Sequence, residues 1–465
     1  MTPAVDDALG IAAQVRAGDL SALAATERAL AAISAGDDAI NSFTTVVADR
    51  ALADARRVDD LLAAGKDPGP LAGAPFAVKN LFDVAGEVTV AGSKISAEDP
   101  PAKADAEAVR RLSAAGAVLI GMLNMDEYAY GFTTENAHYG ACRNPFDLTR
   151  VAGGSSGGSG AAVAAGFVPL TLGSDTNGSV RVPAALCGVF SLKPTYGRLS
   201  CHGMLPFCDT LDVVGSFAAS VRDLAVSFDL LHGHDPRDRL SDDRPREAPP
   251  DLDGGLDGLR IAVAGGYFAR GGTPEALDAV SALAEALGVS EPVEIPHAAE
   301  ARAAAMVITA AEGAQLHLES LRTRPGDFDP MTRDRFLAGA LAPARAYLQA
   351  QDFRRWFRAR MRALFETVDV ILAPATPFPA PIVGQREAVV DDTTVLTQPY
   401  LGVYTQPISF AGLPVLTIPV ATVDGLPLGV QLIAAHNADA TLLRVAADLE
   451  RRGLARPAEA VTPWR

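Results

Sequence analysis

Two serine-bearing loops and one lysine carry the chemistry that this sequence can offer. The run Gly153-Gly154-Ser155-Ser156-Gly157-Gly158-Ser159-Gly160 is too rich in glycine for the interior of a helix or strand, and an alanine run follows it at once. The pattern predicts a tight loop that feeds a helix. Such a loop turns backbone N–H groups toward a ligand and lets that ligand come close to the main chain. The run lacks the lysine of G-x-x-x-x-G-K-[ST] and does not fit G-x-G-x-x-G, so phosphate cradling is weakly supported. It satisfies G-x-S-x-G, the nucleophile-elbow pattern, but residues 144–150 are polar and broken by Pro145, so the apolar strand that an elbow needs is not expected. A plain structural Gly/Ser turn stays open.

The second loop, Gly173-Ser174-Asp175-Thr176-Asn177-Gly178-Ser179, follows an apolar strand at 167–172 and precedes Val180-Arg181-Val182-Pro183-Ala184-Ala185. A chain that runs out along a helix and back along a strand brings the loops at 155 and 179 to one end of the layer, where two serines can face each other. Thr176-Asn177-Gly178-Ser179 at a helix start also offers unpaired N–H donors, which suits an oxyanion hole. A serine hydroxyl is a poor nucleophile until a base takes its proton. The seven histidines sit in no pattern that places one beside Ser179. Lys79 ends the apolar strand 74–78, where lost hydration would lower its pKa and free a neutral amine. A solvated surface lysine is the alternative.

The elements that must hold these residues follow from periodicity. The N-terminal segment, 1–65, reads as helices that pack on the main body or on a partner. From residue 74 short apolar runs alternate with helical stretches, which argues for α/β layering around a buried sheet. Residues 234–258 are polar, rich in Pro and Asp, and read as an exposed connection. Beyond it come a strand at 259–264, helices at 274–287, 298–321 and 344–366, strands at 368–372, 415–420 and 428–433, and a closing helix at 438–451.

Composition narrows the function classes. Of 465 residues, 49% are hydrophobic and 21% charged, which excludes a disordered or fibrous chain. A formal net charge of −16 repels phosphate backbones and anionic lipid, so neither nucleic acid nor a membrane surface is an expected partner. Residues 1–10 have no basic cluster and no apolar stretch of signal-peptide type, and no 18 apolar residues run uninterrupted, so a cytoplasmic protein is expected. The four cysteines show no C-x-x-C spacing and read as reduced, buried thiols.

Together these residues resemble the amidase signature family, serine hydrolases of amides that use a Ser–Ser–Lys triad. The likeness runs over nearly the whole chain. It is densest from 71 to 224, in Pro75-Phe76-Ala77-Val78-Lys79-Asn80, Asn124-Met125-Asp126-Glu127, the Gly-rich run from Gly153, and the loop from Gly173 through Arg181. The resemblance implies an α/β amidase signature fold, with a mixed central β-sheet covered by helices on both faces. It implies one domain over 1–465: a helical segment at 1–65, a catalytic core at 66–233, the connection at 234–258, and the rest of the sheet with pocket loops at 259–465. It places the family's lysine on Lys79, its serine after a cis peptide on Ser155, its nucleophile on Ser179, and its oxyanion donors on Thr176, Asn177, Gly178 and Ser179. No metal and no organic cofactor is implied.

Most of the family has Gly where this chain has Asn177, which adds an amide able to give and accept hydrogen bonds. That residue and the segments 125–140 and 192–200 look closest to the 1-carboxybiuret hydrolase branch. The implied substrate is a small polar amide or ureido compound bearing a carboxylate, cleaved with release of ammonia. Arg181, Asn177, Tyr128 and Ser156 are the implied substrate contacts; for Arg181 an ion pair with Asp175 is the alternative. In that branch a small helical partner subunit joins the large one, so a homo- or hetero-oligomer is implied. The amidase subunit of glutamyl-tRNA(Gln) amidotransferase, a broad aliphatic or aryl amidase, and a catalytically silent amidase-like scaffold are the alternatives.

Overall fold

The computed structural model describes residues 7–458 and 460. Its centre is a sheet of 11 strands. In chain order these are β1 (Phe43–Val46), β2 (Pro75–Lys79), β3 (Val118–Leu123), β4 (Leu170–Asp175), β5 (Phe190–Lys193), β6 (Val213–Ala218), β7 (Ile261–Ala264), β8 (Pro292–Val293), β9 (Val370–Pro374), β10 (Val415–Val423) and β11 (Leu426–Ala434). Across the sheet they stand in the order β1-β3-β2-β4-β6-β5-β10-β11-β9-β7-β8. The sheet is mixed: β2 runs parallel to β3 and β4, β6 antiparallel to β4 and β5, and β9 antiparallel to β11.

Alternation along the strands covers both faces. Phe76, Val78, Leu119 and Met122 enter one apolar cluster, whereas Ala77, Val118 and Ile120 enter another. Strands buried on both sides read as continuous apolar runs, which is why they are visible in the sequence. The N-terminal helices pack on this body. Ala48–Ala63 lies against β3, and the Asp223 carboxylate accepts the N–H groups of Ala8 at 2.7 Å and Leu9 at 3.0 Å, at the start of the helix Ala8–Ala17. Of the segment read for a leader, residues 1–6 lie outside the described residues. No helix among the described residues is long and apolar enough to cross a membrane.

The expected helix at 298–321 is broken at His317, and among the elements that the reading of the sequence did not name, two lie near the site loops. Phe43–Val46 is an edge strand paired with β3, too short and too half-polar to break the helical texture around it. Residues 147–151, read as unsuited to a strand, form one in a small hairpin with Arg143–Asn144 outside the central sheet. Residues 234–258 contain no helix or strand, as expected, but they are tied to the core. Cys201 N–H donates to Asp238 at 2.7 Å, Ser200 Oγ to Asp235 at 2.7 Å, and Arg237 reaches Glu107.

Candidate active site

Strand register sets the site. Val78 pairs with Leu172, so Lys79, the last residue of β2, comes level with the end of β4 and its Ser174. The Gly-rich run enters the helix Gly157–Ala164, whose small residues let it sink wholly into the interior. β4 returns from it and opens into the loop at 176–180, which starts the helix Arg181–Cys187. The two loops meet: Ser156 N–H donates to Ser179 O at 3.3 Å.

Lys79 Nζ lies 2.7 Å from Ser155 Oγ and 3.0 Å from Ser174 Oγ, and Lys79 and Ser155 are both completely buried. Loss of hydration pulls the lysine from its ordinary 10.5 down to about 7, against the opposing fields of Asp126, Asp212 and Asp175. A neutral amine beside a hydroxyl is a proton acceptor. The Gly154–Ser155 peptide is cis. Its surroundings leave no space: Asp126 N–H donates to Ser155 O at 3.2 Å, and a Cβ on Gly154 would stand 2.2 Å from Asp126 Oδ2.

Asp175 organises the other loop. Its carboxylate accepts Gly178 N–H at 2.7 Å and Val180 N–H at 3.2 Å, and it takes the Nε and Nη2 of Arg181 at 3.0 Å each. Burial would raise Asp175, but Arg181 outweighs it and holds the carboxyl below its ordinary value. Thr176 Oγ1 donates to Asp212 at 2.6 Å, and Asn177 O accepts from Thr405 Oγ1 at 2.7 Å. A buried lysine, two serine loops side by side and a braced turn of backbone N–H groups can together acylate and deacylate a hydroxyl.

A family model described as Amidase matches residues 24–443. The chain belongs to the amidase family. It is similar to AtzE of Pseudomonas sp. (strain ADP), a 1-carboxybiuret hydrolase component, 53% identical over 95% of this chain and 97% of that protein. A glutamyl-tRNA(Gln) amidotransferase component of Chloroflexus aurantiacus (strain ATCC 29366 / DSM 635 / J-10-fl) is 40% identical over 93% of each chain. Among solved structures, a chain described with a vestigial protein complex that reveals the evolutionary origins of an s-triazine catabolic enzyme superposes with a TM-score of 0.95 and 51% identity, over 97% of this chain and 99% of that one. A 6-aminohexanoate cyclic dimer hydrolase complexed with substrate gives 0.85 and 28%, over 99% and 100%. The chain is therefore an amidohydrolase with the mixed α/β fold expected.

Several expected contacts of this amidase take other positions. Arg181 is completely buried, and its five N–H groups go to Asp175 twice, Thr405 O, Gln431 Oε1 and Ser409 Oγ. It has no donor left for a substrate carboxylate, and the ion-pair alternative is the arrangement found. Ser156 Oγ donates to Ser174 O at 3.2 Å and faces Ser174 N at 3.4 Å, so it joins loop to strand. Gly178 gives its N–H to Asp175, which takes it out of the four oxyanion donors and leaves Thr176, Asn177 and Ser179 as candidates. Tyr128 is buried in an aromatic wall, its ring 3.8 Å from that of His317 and its hydroxyl 3.2 Å from Ser96 Oγ.

Sequence reasoning passed over Ser174, which sat in the quoted loop without a role. It placed specificity in stretches such as 322–335 and 401–406 but gave no role to Arg335 itself, for which no local signal exists. Arg335 lies 4.0 Å over the Tyr130 ring, with Nε donating to Met331 O at 2.7 Å and Nη2 to Tyr130 O. Its charge acts on Asp126, which burial lifts to about 7.

Proposed function

We propose that this chain hydrolyses the terminal amide of a small, carboxylate-bearing ureido compound of the 1-carboxybiuret kind, through an acyl-enzyme on Ser179 and with release of ammonia. The observation that carries the mechanism is the buried Lys79 amine 2.7 Å from Ser155 Oγ. Neutral Lys79 takes the Ser155 proton, and Ser155 takes that of Ser179 as its oxygen attacks the amide carbonyl. The tetrahedral oxyanion rests on the N–H groups of Thr176, Asn177 and Ser179, each such donor being worth about 10²–10³ in rate. The relay then runs backward to protonate the departing ammonia, and water enters by the same path to free the serine.

Arg335 takes the role first expected of Arg181. Its guanidinium is held over the Tyr130 ring by its Nε and Nη2 bonds, and Nη1 is the group that would meet a substrate carboxylate. The substrate class rests on the 53% identity to AtzE. We further infer a cytoplasmic enzyme, since all four cysteines are free thiols and suit a reducing compartment. We also infer an assembly with a small helical partner; in favour of an assembly, the solved structure that superposes at a TM-score of 0.95 is described with a protein complex.

Ammonia release from freshly generated 1-carboxybiuret, and from glutamine with and without glutamyl-tRNA(Gln), tests the reading. Turnover of the ureido acid without glutaminase activity is the expected result. Glutaminase activity stimulated by the charged tRNA would instead assign the chain to the amidotransferase branch.

A further inference from the structure

We propose that the side-chain carbonyl of Asn177, aimed by Thr309, selects amides that carry an N–H next to the scissile carbonyl, the ureido and imido class. The proposal rests on the hydrolytic reading above and narrows its substrate. Asn177 lies two residues before Ser179 and is 6% exposed. Its Nδ2 is 3.5 Å from Thr309 Oγ1, on the helix Ala298–Leu316. A threonine hydroxyl has one hydrogen to give, and Thr309 Oγ1 stands 2.9 Å from Ala305 O and 3.2 Å from Met306 O. With its hydrogen turned to the helix carbonyls, Thr309 offers Asn177 only a lone pair. The NH₂ end of the amide therefore faces Thr309, because the reverse orientation would set two acceptors against each other.

Oδ1 then points away from Thr309. It is buried and has no hydrogen-bond partner among the described residues. Buried amide oxygens are nearly always paired, since an unpaired one loses its water and gains nothing. The backbone oxygen of the same residue is already held by Thr405 at 2.7 Å, so the orphan is the side-chain oxygen alone. An acceptor on the loop that would receive the oxyanion calls for a donor within a bond or two of the carbonyl under attack. A ureido N–H supplies one; the methylene of an aliphatic amide does not. A site built to bond a substrate N–H rejects the analogue without it, because its own buried group stays unpaired.

Hydantoate and succinamate form a matched pair, alike in terminal amide and carboxylate and differing by N–H against CH₂ beside the scissile carbonyl. Their kcat/KM values by ammonia release give a ratio that a merely structural role would not move. Asn177→Leu should lower the hydantoate-to-succinamate ratio at least about tenfold. Thr309→Val should lower it in the same direction, and Thr309→Ser, which keeps the hydroxyl, should restore the wild-type value. For a compound that is not turned over, its protection of Ser179 against a fluorophosphonate, read by intact mass, takes the place of the rate. A ratio unmoved by both variants, or no protection by either compound, overturns the proposal. Failure of the hydrolytic reading looks different: Ser179 of the wild type would not take the fluorophosphonate at all.

Discussion

Lys79 serves two demands that conflict. The proposed catalysis wants its amine neutral near pH 7, and burial achieves that by taking water away from the ammonium. Folding pays for it, because the unfolded chain keeps the ordinary pKa of 10.5 and binds a proton that the folded state gives up. The destabilisation is therefore full below about pH 7 and fades as pH rises toward 10.5. Lys79→Met should abolish turnover yet raise Tm by a few degrees at pH 7, measured by calorimetry; a lower Tm would contradict the burial cost. Arg335→Leu should raise KM for a carboxylate-bearing amide by roughly 10–100-fold with a smaller change in kcat, since a charged hydrogen bond is worth about 1.5–3 kcal/mol. Equal losses in kcat and KM would refute that role. The placement of Lys79 beside Ser155, and of the Ser155 loop beside the Ser179 loop, was legible because each lies in a local pattern of residue types. Arg181 was misread for the opposite reason: its partners Thr405, Ser409 and Gln431 come from the far end of the chain.

The loop between β4 and the helix Arg181–Cys187 is the element on which the proposed catalysis turns. Gly178 has φ +133°, and a Cβ there would stand 2.1 Å from Thr405 Oγ1, so an alanine must displace the residue that holds Asn177 O. Gly178→Ala should cut kcat by about 10²-fold or more, with the fold retained by circular dichroism, because the N–H groups on either side lose their aim. Wild-type kcat in this variant would show that the loop is not the oxyanion site. The order of helix and strand around this loop could be read from apolar runs and glycines, and the two loops do meet at one end of the layer. The small hairpin at 143–151 could not, because its strands are short and mostly polar and its outer partner, Ile382, comes from the far end of the chain.

Across the whole molecule, long-range ties decide what counts as one body. Burial tends to raise Glu107, but hydrogen bonds from Arg110, Arg111 and Arg237 hold it far down, at about 2 against an ordinary 4.5. A carboxylate so depressed adds stability that is present above about pH 4.5 and lost as pH falls toward 2. Its partners Arg110 and Arg237 are half exposed, which screens the effect. Glu107→Gln should therefore cost roughly 1–2 kcal/mol at pH 7 in urea unfolding and nothing near pH 2; an unchanged midpoint at pH 7 would contradict the tie. The polar composition of 234–258 announced a connection without showing that it is strapped to the core. The N-terminal segment, whose helices could have served the main body or a partner, is likewise part of the body: β1 belongs to the central sheet and Asp223 caps the first helix.

The central claim, that Lys79 acts as a neutral base on Ser179 by way of Ser155, is tested most directly by the pH dependence of Ser179 acylation. The rate of fluorophosphonate labelling, followed by intact mass, should fall about tenfold per unit below an apparent pKa of about 7 in the wild type. In Lys79→Met it should be slow and lose that inflection. Label on another residue, or an inflection that survives the loss of Lys79, would contradict the account.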